Sequence, residues 1–164
     1  MSHSVTIQTR TVTTGSPSAI NTSFFRSWTG ILKLAQVILG AVCVGLVGYY
    51  ISHHSVNNRY LGGTEITFFM LIATTFMIAT TILVLSCCCS YTTESIISKT
   101  VFELLYHAFG FALLLAASVT LLVNVSNNYY YDKNQLTAAC ICGIINCVLY
   151  LIVTLFALRT SRGL

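Results

Sequence analysis

Two ionisable residues stand four positions apart inside a strongly apolar stretch of this chain. Glu103 and His107 interrupt residues 101–117, VFELLYHAFGFALLLAA. A spacing of four places two side chains on the same face of a helix, where a carboxylate can hold an imidazole. Ionisable groups inside a membrane are costly and generally have a partner or a function. The pair is therefore the first candidate functional site.

Lys33 falls at nearly the same depth in another apolar stretch. We predict a Lys33–Glu103–His107 cluster inside a helix bundle, which either fixes how two helices meet or docks a partner. Two alternatives stay open: Lys33 and Glu103 extend separately to the membrane surface, or the cluster conducts protons. Conduction needs ionisable groups across the full thickness of the membrane, whereas the sequence after His107 turns to Leu, Ala and Val.

Three adjacent cysteines, Cys87, Cys88 and Cys89, end the second apolar stretch. Cytosol keeps thiols reduced, so we expect no structural disulfide there. Cysteines beside a membrane are typical sites of S-palmitoylation, which we predict for this triplet. The alternative is that each cysteine serves as a small apolar residue. Adjacent residues on a helix point in different directions and no fourth ligand is near, so we predict neither a metal site nor a cofactor.

Small residues at intervals of four form a further pattern. This spacing lets helix backbones approach closely in lipid. The sequence does not distinguish packing within a bundle from self-association into a homo-oligomer. The residues are Ala41 and Gly45 in the first stretch, Ala108, Ala112 and Ala116 in the third, and Ala139, Gly143 and Cys147 in the fourth.

Asn124-Val125-Ser126 matches the acceptor pattern for N-glycosylation. It directly follows the third apolar stretch. An acceptor asparagine must stand off the membrane to reach the transferase, so we expect Asn124 to be mostly unmodified.

The elements that position these residues follow from composition. Of 164 residues, 55% are hydrophobic and only 7% are charged, whereas soluble domains have about a quarter charged residues. The apolar residues form four blocks of 22 or 23 residues, 30–51, 66–87, 101–123 and 136–158. A helix of that length spans a hydrocarbon core of about 30 Å. The fold class is therefore all-α, an integral membrane bundle of four helices.

The distribution of basic residues predicts the orientation. Of eight Lys and Arg residues, six lie on one side of the predicted spans, with only Arg59 and Lys133 on the other. The positive-inside rule then places both termini in the cytoplasm. We expect a disordered Ser/Thr-rich tail over 1–25, a membrane domain over 26–158 and a short cytoplasmic tail over 159–164. The basic residues suit anionic lipids and are too scattered for nucleic acid.

Three stretches resemble the MARVEL family of four-helix membrane proteins, and within it the chemokine-like-factor-like group. The first is the basic start Arg26–Gln36, RSWTGILKLAQ. The second is FELLYHAFGFALLLAASVTLL, with Glu, His and then an Ala-Ser pair at 117–118. The third is LTAACICGIINCVLYLI, with Ala138, Ala139, Gly143 and Tyr150.

This resemblance implies a non-enzymatic, multi-pass membrane protein. Such proteins act in membrane apposition at cell junctions, in vesicle trafficking, and in escorting or stabilising other membrane proteins. It also implies a location in plasma membrane or endosomal-secretory vesicles and contact with cholesterol-rich lipid. The alternative is a small channel or transporter subunit that acts as an oligomer. Asn146 is the only clear mid-membrane polar group, hydroxyls aside, and offers little for a pore.

Overall fold

A computed structural model describes residues 22–54, 63–90, 93, 96–97, 100–130 and 133–161. Across these ranges the ordered elements are helices: α1 (Thr22–Arg26), α2 (Trp28–His54), α3 (Thr64–Cys89), α4 (Val101–Asn127) and α5 (Lys133–Ser161). The last four are long and apolar enough to cross a membrane. This confirms the predicted all-α class and the four apolar helices. Most of the predicted N-terminal tail, residues 1–21, lies outside the described residues.

Buried residues on each long helix recur at intervals that mostly alternate between three and four. This spacing keeps one seam of a helix turned toward its neighbours, as in left-handed helix bundles. On α2 the seam is Lys33, Gln36, Gly40, Cys43, Val47 and Tyr50. On α4 it is Glu103, His107, Gly110, Leu114, Ala117, Leu121 and Val125.

The four long helices form a ring. Helix α2 packs against α3 and α5, and α4 packs against the same two helices. Within the described residues, α2 and α4 therefore face each other across the bundle axis, as do α3 and α5. We call the end where α2 and α4 begin the proximal end, and the end where they stop the distal end.

The short helix α1 folds back onto the proximal end. Phe24 is fully buried there, against Leu83, Val84 and Cys87 of α3. The return requires Gly30, since a Cβ atom at that position would collide with the Phe24 carbonyl oxygen. Trp28 instead points outward, with 79% of its surface exposed. Burial of the Phe24 ring in this apolar groove stabilises the return of α1 onto the bundle.

Candidate functional site

Lys33 and Glu103 form an ion pair across the bundle axis. Lys33 Nζ lies 2.6 Å from Glu103 Oε1, and the side chains are 3% and 4% exposed. Because α2 and α4 are not ring neighbours, only long side chains can join them. A charge in so apolar a place is tolerable only when paired, so each residue requires the other.

His107 lies one turn beyond Glu103 and is fully buried. Its Nδ1 lies 2.9 Å from the Glu103 backbone carbonyl oxygen, which can only accept, so Nδ1 carries the hydrogen. The imidazole contacts aromatic rings on two helices, with centroids 5.0 Å from Tyr106 and 5.6 Å from Tyr150. The predicted contact of imidazole with the Glu103 carboxylate is thus replaced by one with its backbone.

Gln36 is a further buried polar residue at this level, and its lack of charge gave no sequence signal for a site. It lies one turn beyond Lys33 and is 1% exposed, yet neither its Oε1 nor its Nε2 makes a hydrogen bond in the described structure. Glu103 Oε2 and His107 Nε2 are likewise without a hydrogen-bond partner. The seam spacing from Lys33 to Gln36 and Gly40 was the sequence signal that could have placed Gln36 inside.

A hydroxyl cluster on three helices continues the polar region toward the bundle centre. Thr80 Oγ1 lies 2.6 Å from the Phe76 carbonyl oxygen, 2.7 Å from the Tyr106 hydroxyl and 2.5 Å from the Tyr150 hydroxyl. Thr80 has one hydrogen, which it donates to the carbonyl, so it accepts from both tyrosines. The cluster joins α3 to α5 across the second diagonal. Isolated hydroxyls gave no sequence signal for it.

The absence of a side chain at Gly110 leaves room for the Tyr150 ring. A Cβ atom on Gly110 would lie 2.6 Å from Tyr150 Cδ1 and 3.2 Å from Phe76 Cε1. The Tyr150 ring therefore packs directly against the α4 backbone at Gly110. Glycine lowers helix stability, so its presence in the middle of α4 has a packing reason.

Beyond Ser118 and Asn146, the buried residues of the seam toward the distal end are apolar. Tyr50 and Phe69 pack there with aliphatic residues from all four long helices. Their partners include Val47, Ile66, Leu121, Val125 and Leu136. The polar groups of the axis thus do not continue to the distal end.

The small-residue pattern separates into inward and outward sets. Ala139, Gly143 and Cys147 are buried, and a Cβ atom on Gly143 would lie 2.5 Å from Ser118 Oγ. Ala41, Gly45, Ala112 and Ala116 are exposed, and Ala108 is half-buried. No atom lies within 4 Å of a Cβ atom built on Gly45. The fourth-stretch pattern thus serves bundle packing, and the exposed positions lie free on the outer surface.

The cysteine triplet shows a gradient of exposure at the proximal end. Cys87 is buried against Phe24, Cys88 is half-buried and Cys89 is exposed. Among the cysteines within the spans, the Cys43 thiol points to the Ala139 carbonyl oxygen at 3.7 Å. In the described part of the chain, no three His, Cys, Asp or Glu residues come together as metal ligands.

Asn124 lies in the last turn of α4 and is half-buried. The Tyr130 hydroxyl donates a hydrogen bond to its side-chain oxygen. Burial and the nearby Glu65 carboxylate raise the pKa of Tyr130, which keeps this hydroxyl protonated. The acceptor amide is thus tied into the distal rim of the bundle.

Comparison with known proteins supplies the family. The model of the MARVEL membrane-associating domain matches residues 24–156, which include Phe24 and all the buried polar residues described above. Comparisons with curated proteins and with solved structures gave no significant match. Because the family model covers most of the chain, this protein belongs to the MARVEL family of membrane-associating proteins.

Proposed function

We propose that this tetraspan protein is non-enzymatic and organises membrane or escorts partner membrane proteins in trafficking, apposition or junctions. The observation that carries the proposal is the division between its interior and its surface. Lys33, Glu103 and His107 are all buried inside the bundle, whereas the exposed faces are apolar with small residues among them. Such a surface favours lateral contact with lipid and with other membrane helices.

Within this role, Lys33, Glu103 and His107 act as an internal brace. Their burial favours bracing over direct docking, because a partner helix could not reach them without separating α2 from its neighbours. Partners would instead meet Ala41 and Gly45 on α2, or Ala112 and Ala116 on α4. A second copy of the chain is one such partner.

The proximal end faces the cytoplasm in this proposal, and both chain termini lie on that side. The positive-inside pattern supports it, although Arg10, Lys99 and Arg162 lie outside the described residues. S-palmitoylation would then occur at Cys89 first, because it is the exposed member of the triplet. The chemokine-like-factor-like group, plasma membrane or endosomal-secretory vesicles, and cholesterol-rich lipid belong to the same proposal.

The channel alternative is less well supported. Polar groups do lie along the axis of the proximal half, but the distal seam is closed by apolar side chains such as Phe69, Leu121 and Leu136. A single bundle thus offers no polar path between its ends through the described residues. An oligomeric pore would have to form between bundles.

Proximity labelling in cells tests the escort role. Wild type is compared with Ala41→Leu/Gly45→Leu and with Ala112→Leu/Ala116→Leu, at matched expression and surface level. We expect at least one outward variant to lose a specific set of membrane neighbours, because leucine prevents close helix approach. Ile38→Leu/Val42→Leu on the same exposed side of α2 is the matched control and should keep the neighbours. If both outward variants keep the full neighbour set, lateral recruitment through these faces is wrong.

A further inference from the structure

Four buried polar atoms near the proximal end share an unmet requirement for hydrogen bonds. They are Gln36 Oε1, Gln36 Nε2, Glu103 Oε2 and His107 Nε2. The three side chains are 1%, 3% and 0% exposed. Leaving such an atom unpaired is energetically costly, and lipid tails supply no hydrogen bonds in compensation.

The three side chains lie at one level of the bundle. Helices α2 and α4 both begin at the proximal end and run in the same direction. The Lys33–Glu103 pair fixes their relative height. Gln36 is three residues beyond Lys33 and His107 four beyond Glu103, which are rises of about 4.5 and 6 Å. Since both belong to the inward seams, they approach the axis together.

The donor and acceptor pattern defines what can bind between them. Because His107 Nδ1 donates to a carbonyl, the neutral ring offers Nε2 as an acceptor. Glu103 Oε2 and Gln36 Oε1 also accept, whereas Gln36 Nε2 donates. The molecules bound at this site must therefore together donate three hydrogen bonds and accept at least one. Each should be neutral, since Lys33 already balances the charge of Glu103.

Space restricts each of these molecules to a very small size. The rings of Tyr106 and Tyr150 flank His107, with centroids 5.0 and 5.6 Å away. Phe24 is fully buried at the proximal end, in an apolar cluster that also includes Tyr106. We propose that Gln36, Glu103 and His107 together form a site for internal bound water. Since one water donates only two hydrogen bonds, the three acceptors require more than one water. Buried waters typically make about three hydrogen bonds, which this site provides.

This site explains why a glutamine occupies a buried seam position that leucine would otherwise fill. The waters complete the brace by bridging α2 to α4 one turn beyond the ion pair. The inference concerns the interior of a single chain, so it stands or falls independently of the escort role.

Water-edited solid-state NMR of the labelled full chain in lipid bilayers tests this site. Magnetisation from water should reach the His107 ring early, as it reaches the exposed His53 ring, and well before it reaches the Leu121 amide in the apolar distal half. In Gln36→Leu the early transfer to His107 should be lost. Asn146→Leu, which removes a buried polar side chain elsewhere in the seam, should retain it.

Either of two results would overturn the proposal. One is transfer to His107 in the wild type that is as slow as transfer to Leu121. The other is early transfer that persists in folded Gln36→Leu. Gln36→Met is a second variant of similar shape if leucine prevents folding, and the wild-type comparison decides the matter if neither variant folds.

Discussion

The distal half of this bundle is packed by aliphatic and aromatic side chains, whereas the proximal half places charge and hydrogen-bonding groups in the same helix seams. Val47, Phe69 and Leu121 represent the first kind of packing. The Lys33–Glu103 pair and the Thr80 hydroxyl cluster represent the second. Apolar packing tolerates small shifts of one helix along another, but an ion pair does not. The proximal half therefore specifies which helices face each other across the axis.

The largest effect should come from removing one member of the ion pair. Glu103→Leu leaves Lys33 buried and unpaired, which should lower the free energy of unfolding by about 3–5 kcal/mol. Reversible unfolding in mixed detergent micelles measures this change. Phe102→Leu, at the exposed neighbouring position, should cost about 0.5 kcal/mol or less. Equal costs for the two variants would show that the proximal half does not depend on the pair.

The distal half should respond to lost volume. Leu121→Ala leaves a cavity among buried side chains and should cost about 2–5 kcal/mol in the same unfolding assay. Val119→Ala replaces an isopropyl group by a methyl group on the exposed face and should change stability by about 0.5 kcal/mol. If Leu121→Ala leaves the free energy of unfolding unchanged, the distal half is loosely packed.

Where the halves meet, the Tyr150 ring packs closely on the α4 backbone at Gly110. One added methyl group there should therefore lower stability. Gly110→Ala would force the Tyr150 ring away and should cost about 1–3 kcal/mol through overpacking. Gly45→Ala meets nothing within 4 Å and should be neutral or stabilising by about 0.5–1 kcal/mol, since alanine is the better helix former. Thermal unfolding of both variants in micelles checks the contrast, and a destabilising Gly45→Ala would indicate that this face is covered.

The smallest effect should come from the hydroxyl cluster. Thr80→Val removes one acceptor for two tyrosines and should cost about 1 kcal/mol. The loss is limited because the Tyr106 and Tyr150 hydroxyls keep the Phe76 carbonyl oxygen within 3.4 and 3.5 Å. Thr75→Val is the matched control, since the exposed Thr75 hydroxyl bonds only its own helix at Leu71. If both variants unfold alike, the cluster adds nothing to α3–α5 contact.

Much of the fold could be read from the sequence because the membrane imposes a simple rule. A span must be a long apolar helix with its backbone bonded internally, and four such blocks are visible. Short loops then require sequential helices to be neighbours. The expected pairing of Lys33 with Glu103 rested on equal depth in the membrane. Depth follows from position along a span and does not require knowing which way each helix faces.

The rest depended on which way each helix faces. Ala41 and Gly143 share the same small-residue spacing, yet one is exposed and the other buried. Mean apolarity cannot separate them, because lipid and protein interior are equally apolar surroundings. Gln36 and Thr80 carry no charge, so their residue types alone do not mark them as costly to place in a membrane. Once one buried residue such as Lys33 is known, counting three and four residues along α2 identifies the face that points into the bundle.

A specific ion pair across the bundle axis, Lys33 with Glu103, holds the proximal half together. A double-mutant cycle on Lys33→Met and Glu103→Leu in bilayers or micelles measures this coupling. We predict that each single variant loses about 3–5 kcal/mol of unfolding free energy, and that the double variant returns to within about 1 kcal/mol of the wild type or exceeds it. If the double variant instead loses the sum of the two single losses, Lys33 and Glu103 act separately and the pair does not hold the proximal half.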